Sequence, residues 1–316
     1  MKLYLGDALG LLLKTMPFVW LRLGCYVLLG LGLAIYFAIA WGVAWLLGKL
    51  LGPLGIVVFL VAIGGAWGII RWASRYFFYL LKAAHVAVMT EFIVTGHGPR
   101  KAQIAYGREQ VAQRFKDTSV MFGVDQLVDG IVRAFNRQFA RMANLLPIPG
   151  MDSLSQFVGQ VTAFATTYVD ESILSRAYRH RQQNVWAVAQ DGVILYAQAW
   201  QTILLNATVL TLISYLGFIL LLIVLAVPAV MVGLMLPFLK TMLGVCVVVA
   251  AWMLKLAVAD AYSLAATLIA YHRATESLAP DPQWQHRLEQ ASDQFRQLRD
   301  RAAAAVSSSP KPQVNT

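Results

Sequence analysis

The sequence predicts an all-α, polytopic membrane protein: four transmembrane helices arranged as two hairpins, with amphipathic helices at and beyond the membrane surface. Three observations carry this reading. The stretch from Gly192 to Leu239 contains no Asp, Glu, Lys, Arg or His, and its inner part, Ile203 to Val227, is long enough to cross a bilayer. A hydrocarbon core of about 30 Å needs only some ~20 apolar residues at ~1.5 Å each. The rest of the chain is equally apolar, with 59% hydrophobic and 13% charged residues among 316, so a soluble body has little polar surface to wrap around such a helix. Finally, basic residues flank the apolar runs instead of interrupting them.

The elements follow in order. Residues 2–15 place Leu5, Leu9, Leu12 and Leu13 on one side, with Lys2, Asp7 and Lys14 elsewhere, a pattern for a surface helix ended near Pro17. Asp7, Lys14 and Arg22 also make this segment unlike a cleavable signal. The first span covers about 23–48 and the second about 53–70, with Lys49, Gly52 and Pro53 in the turn. Gly64 and Gly68 have the small-xxx-small spacing that allows helices to approach closely. Helix continues past Arg71 until Gly96-His97-Gly98-Pro99, where glycine suits a helix cap and proline a new first turn.

Residues 99–184 form a region of cytoplasmic amphipathic helices. Val120, Val124, Leu127, Val128, Ile131, Phe135, Phe139 and Met142 make an apolar face, and Asp125, Asp129, Arg133, Arg137 and Arg141 a charged one. After the break at 146–150, Asp152 starts a helix whose apolar side includes Tyr168 and Ile173. A surface helix from Asn184 leads into the third span, about 203–227, and Pro228 marks the turn to the fourth, about 236–257. The segment 280–306 reads as one amphipathic helix with a seam of Trp284, Leu288, Phe295 and Leu298, and 307–316 as a disordered tail.

The two membrane units, 1–98 and 185–279, repeat the same order: a surface helix with an aspartate (Asp7, Asp191), a hairpin with a proline (Pro53, Pro228), an overrunning second helix, and a proline break (Pro99, Pro280). An offset of 180 matches Gln103 with Gln283, Glu109 with Glu289, Gln110 with Gln290 and Phe115 with Phe295, so an internal duplication is expected. Basic flanks on one side (Lys14, Arg22, Arg71, Arg75, Arg176, Arg179, Arg181, Arg273) oppose Lys49 and Lys240 in the turns. The asymmetry places both termini in the cytoplasm, in a membrane of bacterial cytoplasmic type.

Chemistry is sparse. Basic residues outnumber acidic ones 26 to 16, but no aromatic-interleaved basic run is present. Anionic lipid headgroups are therefore the expected partner and nucleic acid is not. Cys25 and Cys246 lie in apolar spans and the five histidines are widely scattered, so neither a disulfide framework nor a metal site is expected. No catalytic motif or phosphate loop occurs, which points away from an enzyme and from a cofactor. The candidate polar cluster is Asp170, Glu171, Arg71, Arg75, Lys82, Asn206, Lys255 and Asp260. Asp170 and Glu171 have no basic residue three or four positions away, so their partners should come from another helix: Arg71, Arg75 or Lys82. The expected function is a transport or channel-type subunit for a small solute or ion. The alternative is a non-catalytic scaffold or assembly factor that binds lipid or protein through its amphipathic helices. In either case Trp284, Leu288, Phe295 and Leu298 should be buried, against the apolar face of residues 120–142 or in a homo-oligomer.

Overall fold

The computed structural model describes residues 4–114, 123–124, 126–134 and 168–307. Every regular element among them is helical, and four helices are long and apolar enough to cross a membrane: Met16–Leu51, Leu54–Thr95, Leu205–Met235 and Pro237–Thr275.

α1 (Leu5–Lys14) stops at Thr15, whose hydroxyl donates to the Leu11 carbonyl at 3.0 Å. α2 (Met16–Leu51) starts at once, with Pro17 in its first turn, where the missing N–H would have had no helical partner anyway. Gly52, at φ 61°, supplies the left-handed turn that Pro53 then leaves. α3 (Leu54–Trp72) packs along α2. The close approach is made by Gly55, Ala62 and Ala66, which are buried, while Gly64 and Gly68 face open space. The expected small-residue contact therefore exists on a different face from the one Gly64 and Gly68 occupy. A Cβ on Gly55 would lie 2.8 Å from Gly48 Cα and against the Ala44 carbonyl, so only glycine fits.

α3 passes through a π-helical segment, Ala73–Phe78, into α4 (Tyr79–Thr95), which ends on left-handed Gly96 at φ 75° as a glycine cap should. α5 (Gln103–Arg114) folds back on α4. Two further helical stretches follow, α6, described over 126–134, and α7, described over 168–179. The charged ladder is seen in part, as an Asp129–Arg133 ion pair. Asp125, Arg137, Arg141, Phe135, Phe139, Met142, the 146–150 break, Asp152 and most of the tail lie outside the described residues.

α8 (Val185–Met235) is one continuous helix, so the expected surface helix and third span are a single element that runs through Pro228. The turn comes later, at Leu236 and the 3-10 segment Pro237–Leu239. In hydrocarbon, one lost N–H within a helix is tolerated far better than a turn with several unpaired backbone groups. α9 (Lys240–Leu254) packs back on α8 and passes through a second π segment, Lys255–Ala259, into α10 (Asp260–Thr275). The C-terminal seam is split into α11 (Pro282–Ala291) and α12 (Asp293–Ser307) by extended Ser292, which corrects the single helix expected there. The break re-aims α12, so that Leu288, Phe295 and Leu298 all reach one core with Leu127, Val128 and Ile131 of α6 and Val193 and Ile194 of α8.

Burial separates two regimes. Along α2, α3, the later part of α8 and α9, large apolar side chains such as Leu28, Ile35, Leu60, Leu216 and Leu220 point outward, as they do where the solvent is lipid. Away from those stretches the core is conventional. Continuous burial runs from Ala83 to Thr90 of α4 and dominates α10, which sits between α1, α4, α7 and α8.

Candidate functional site

Where the apolar stretches meet the helical core, five charged side chains gather. Lys82 of α4 is ion-paired with Glu171 of α7, whose carboxylate is only 3% exposed. The Lys82 ammonium also lies 5.4 Å above the Tyr168 ring. Tyr168, one turn before Glu171 on α7, hydrogen-bonds through its hydroxyl to Asp260 and Ser263. Burial first, and the nearby Asp260 carboxylate second, push this phenol well above its ordinary range. Asp260 in turn holds Lys255 at 2.8 Å, across the π segment that separates α9 from α10. Ser214 of α8 reaches Ser263 at 3.3 Å.

Arg22 completes the group. It is 5% exposed, lies within electrostatic reach of Asp260, Tyr26 and Tyr168, and its Nη1 finds no hydrogen-bond partner among the described residues. Beside it, His85 is fully buried and stacked on Phe18 at 4.9 Å with 5° between the planes. Three cations (Arg22, Lys82, Lys255) thus face two carboxylates (Glu171, Asp260). The excess positive charge falls on Arg22, the member without a close ion pair among the described residues. A buried charge costs several kcal/mol unless it is compensated. The arrangement can therefore receive an anion or redistribute a proton.

The sequence candidates divide accordingly. Lys82, Glu171, Lys255 and Asp260 are brought together, and Lys82 rather than Arg71 partners Glu171. Arg71 is exposed at the end of α3, and the Arg75 side chain lies outside the described residues. Asn206 is buried and donates to the Thr202 carbonyl of its own helix at 2.8 Å. Asp170, adjacent on α7 and therefore turned about 100° from Glu171, is half-buried. Arg22, Tyr168 and Ser263 are members that the sequence reading left out. Arg22 was legible: helix beginning at Met16 puts it one turn from Phe18 and Tyr26 on a continuous face. Tyr168 reads as one more apolar position until its hydroxyl is placed.

A second ion cluster ties the outer ends of the helices. Arg181 donates to Glu91 at 3.0 Å and to the Tyr106 hydroxyl at 2.6 Å, and Tyr106 donates to Glu91 at 2.5 Å. These groups anchor α5 to α4 and border a cavity of about 570 Å³ with His97, Arg100 and Lys101. Among the described residues no three His, Cys, Asp or Glu side chains converge as a metal site would require. Compared with known proteins, the chain matches no protein-family model, no curated protein and no solved structure.

Proposed function

We propose that the protein is a transport or channel-type membrane subunit for a small solute or ion, with the Arg22–Lys82–Tyr168–Glu171–Lys255–Asp260 network as its working element. The observation that carries this reading is the network itself: charged side chains from α2, α4, α7 and the α9–α10 junction, with Arg22 and Glu171 buried and Lys82, Lys255 and Asp260 half-buried, at the edge of the lipid-facing stretches. Ionisable groups at that depth are costly, and where they persist in membrane proteins they commonly mark ion or substrate paths. In this reading α2–α3 and α8–α9 are two hairpins of a duplicated unit, and the network lies at their meeting. The two π segments support the duplication: shifted by 180, Lys255–Ala259 falls on 75–79 and overlaps Ala73–Phe78. Sites between repeats, built on locally irregular helices, are a recurrent transporter design.

The orientation that goes with this function puts the helical body and both termini in the cytoplasm, from the basic flanks, with anionic headgroups contacting Arg71 and its neighbours. Cysteines placed at Lys49 and Lys240 should then be labelled from outside intact cells, and one at Arg100 should not. Self-association through Leu288, Phe295 and Leu298 would require their intramolecular core to open, so the unit is proposed to function without it.

Liposome flux tests the function. Purified protein in vesicles loaded with pH- and chloride-sensitive dyes, under an imposed potassium diffusion potential, should pass at least one ion above the level of empty vesicles. Asp260→Asn and Arg22→Gln should abolish that flux while leaving the protein folded. Flux equal to that of empty vesicles across a panel of inorganic ions and small metabolites would instead favour a scaffold.

A further inference from the structure

At the end of α10 remote from Asp260, about 18 Å along the helix at ~1.5 Å per residue, lies a separate cavity of about 530 Å³. Its wall includes Asp7 and Lys14 of α1, Arg179 at the end of α7, and His272, Arg273 and Glu276 at the end of α10. A buried hydrogen-bond chain fixes what His272 can offer it. Thr90 Oγ1 lies 2.7 Å from the Val86 carbonyl, which can only accept, so the Thr90 proton is committed there. Ser175 Oγ, 2.7 Å from Thr90 Oγ1, must then be the donor in that contact. With the Ser175 proton used, the 2.7 Å contact between Ser175 and His272 Nε2 needs the imidazole to donate. Neutral His272 therefore carries its proton on Nε2. Nδ1, the one polar atom the side chain can turn to the cavity it lines, is an acceptor.

The charges around that acceptor are mostly positive. Arg176, Arg179 and His180 act electrostatically on His272. Lys14 is held over the Phe92 ring at 5.8 Å, with its backbone carbonyl bound by Gln103 at 2.8 Å. Arg273 lies 3.8 Å from Glu276, which leaves Lys14 and Arg179 against Asp7 on the wall, a net single positive charge. A site with two cations, an imidazole acceptor and a carboxylate acceptor calls for an anion that also has hydroxyl protons to give.

We propose that this cavity binds a protonated phosphate, free or as a phosphomonoester, with Lys14 and Arg179 taking its charge and His272 Nδ1 accepting its hydroxyl proton in a hydrogen bond. Singly charged dihydrogen phosphate matches the wall in charge and has two donors, one for His272 and one for Asp7. Sulfate has the same shape and no proton at neutral pH, so its oxygens would meet two acceptors with nothing to donate. Sites that depend on a donated hydrogen bond discriminate strongly on that ground. The inference concerns a different place from the charged network and does not rest on the transport reading.

Calorimetric titration of the purified full chain with inorganic phosphate, sulfate and glycerol 3-phosphate, at matched ionic strength, is the test. Phosphate should bind at least about tenfold more tightly than sulfate. Arg179→Gln and Lys14→Gln, both at exposed positions, should each weaken phosphate binding by about tenfold, the loss of ~1.4 kcal/mol. His272→Ala should erase the preference over sulfate. Binding of glycerol 3-phosphate as tight as that of phosphate upholds the site with a monoester ligand, and its rejection upholds it with free phosphate. Equal binding of sulfate and phosphate, no phosphate binding at all, or phosphate affinity unchanged in Arg179→Gln would overturn the proposal and leave the cations as neutralisers of the helix C-termini that converge there.

Discussion

Replacing Glu171 by Gln removes the carboxylate from the Lys82–Glu171 pair while nearly preserving its volume. Glu171 is 3% exposed and Lys82 22%, so the pair is desolvated on one side and partly wetted on the other. Breaking a fully buried pair costs about 3–5 kcal/mol, because the surviving charge is left uncompensated. The Lys82 ammonium keeps some solvent and the Tyr168 ring beneath it, which lowers the expected cost to about 2–3 kcal/mol. By the usual scaling for a chain of 316 residues this is a fall in melting temperature of roughly 3–5 °C. Intrinsic tryptophan fluorescence of the detergent-purified protein during heating would measure it. The double variant Lys82→Met, Glu171→Leu should recover most of the loss, because an apolar pair of similar size avoids desolvation altogether. A cost below about 1 kcal/mol in Glu171→Gln, the value of an exposed pair, would refute the reasoning that Glu171 is a buried member of the network.

Three more outcomes follow from local geometry. Gly55→Ala forces a methyl into the Gly48 backbone and should destabilise by about 1–3 kcal/mol, whereas Gly64→Ala, in open space, should be neutral or slightly stabilising; thermal melts of the two separate them. Ser292→Ala removes the hydroxyl that accepts from Phe295 N–H at 3.3 Å at the start of α12, with an expected loss of about 1 kcal/mol in the same assay. Asp191 is held above its ordinary range by burial, with Arg176 opposing the shift. Its raised folded value means the native state retains a proton that the unfolded chain has released, so this residue's contribution makes stability fall as pH rises from about 4 through the raised value and then level off. Asp191→Asn should remove that slope and be more stable than wild type at neutral pH; melting curves of both proteins across about pH 4–7 would show it, and parallel curves would contradict it.

The helical class and the four apolar stretches were legible because uncharged runs this long have few other solutions. Gly96 as a cap was legible for the same local reason that glycine alone enters left-handed backbone at no steric cost. Lys82 could be named as a partner of Glu171 because a carboxylate on an apolar helix face with no local base must look elsewhere. The failures have a common cause. Pro228 is a breaker in water but not within lipid, so local rules put the turn too early. Gly64 and Gly68 have the right spacing, yet spacing alone does not say which face meets the neighbour, and Gly55, Ala62 and Ala66 took that role. Ser292 carries no strong breaker, and the division between α11 and α12 is decided by the core they share. Arg22 could have been found from its face on α2, but Tyr168 entered the charged group through contacts with α4 and α10, and no periodicity within one helix encodes those.

The place of α1 against α10 has a consequence for the ribosome. Tyr262 donates its hydroxyl hydrogen to the Leu5 carbonyl across a separation of 257 residues, and Ala8 and Leu11 share a core with Leu264 and Leu268. At ~5–20 residues per second, the face of α1 that emerges first waits roughly 10–50 s for its own partner to be made. During that interval Leu5, Leu11 and Leu12 need another apolar host, which α4, through Val86, Met89 and Phe92, and the lipid can supply in part. Assembly must then transfer this helix from a temporary host to its final seat. A slow codon or a stalled ribosome anywhere before residue 260 would lengthen the most vulnerable stage of the protein's life, although it changes no contact in the finished molecule.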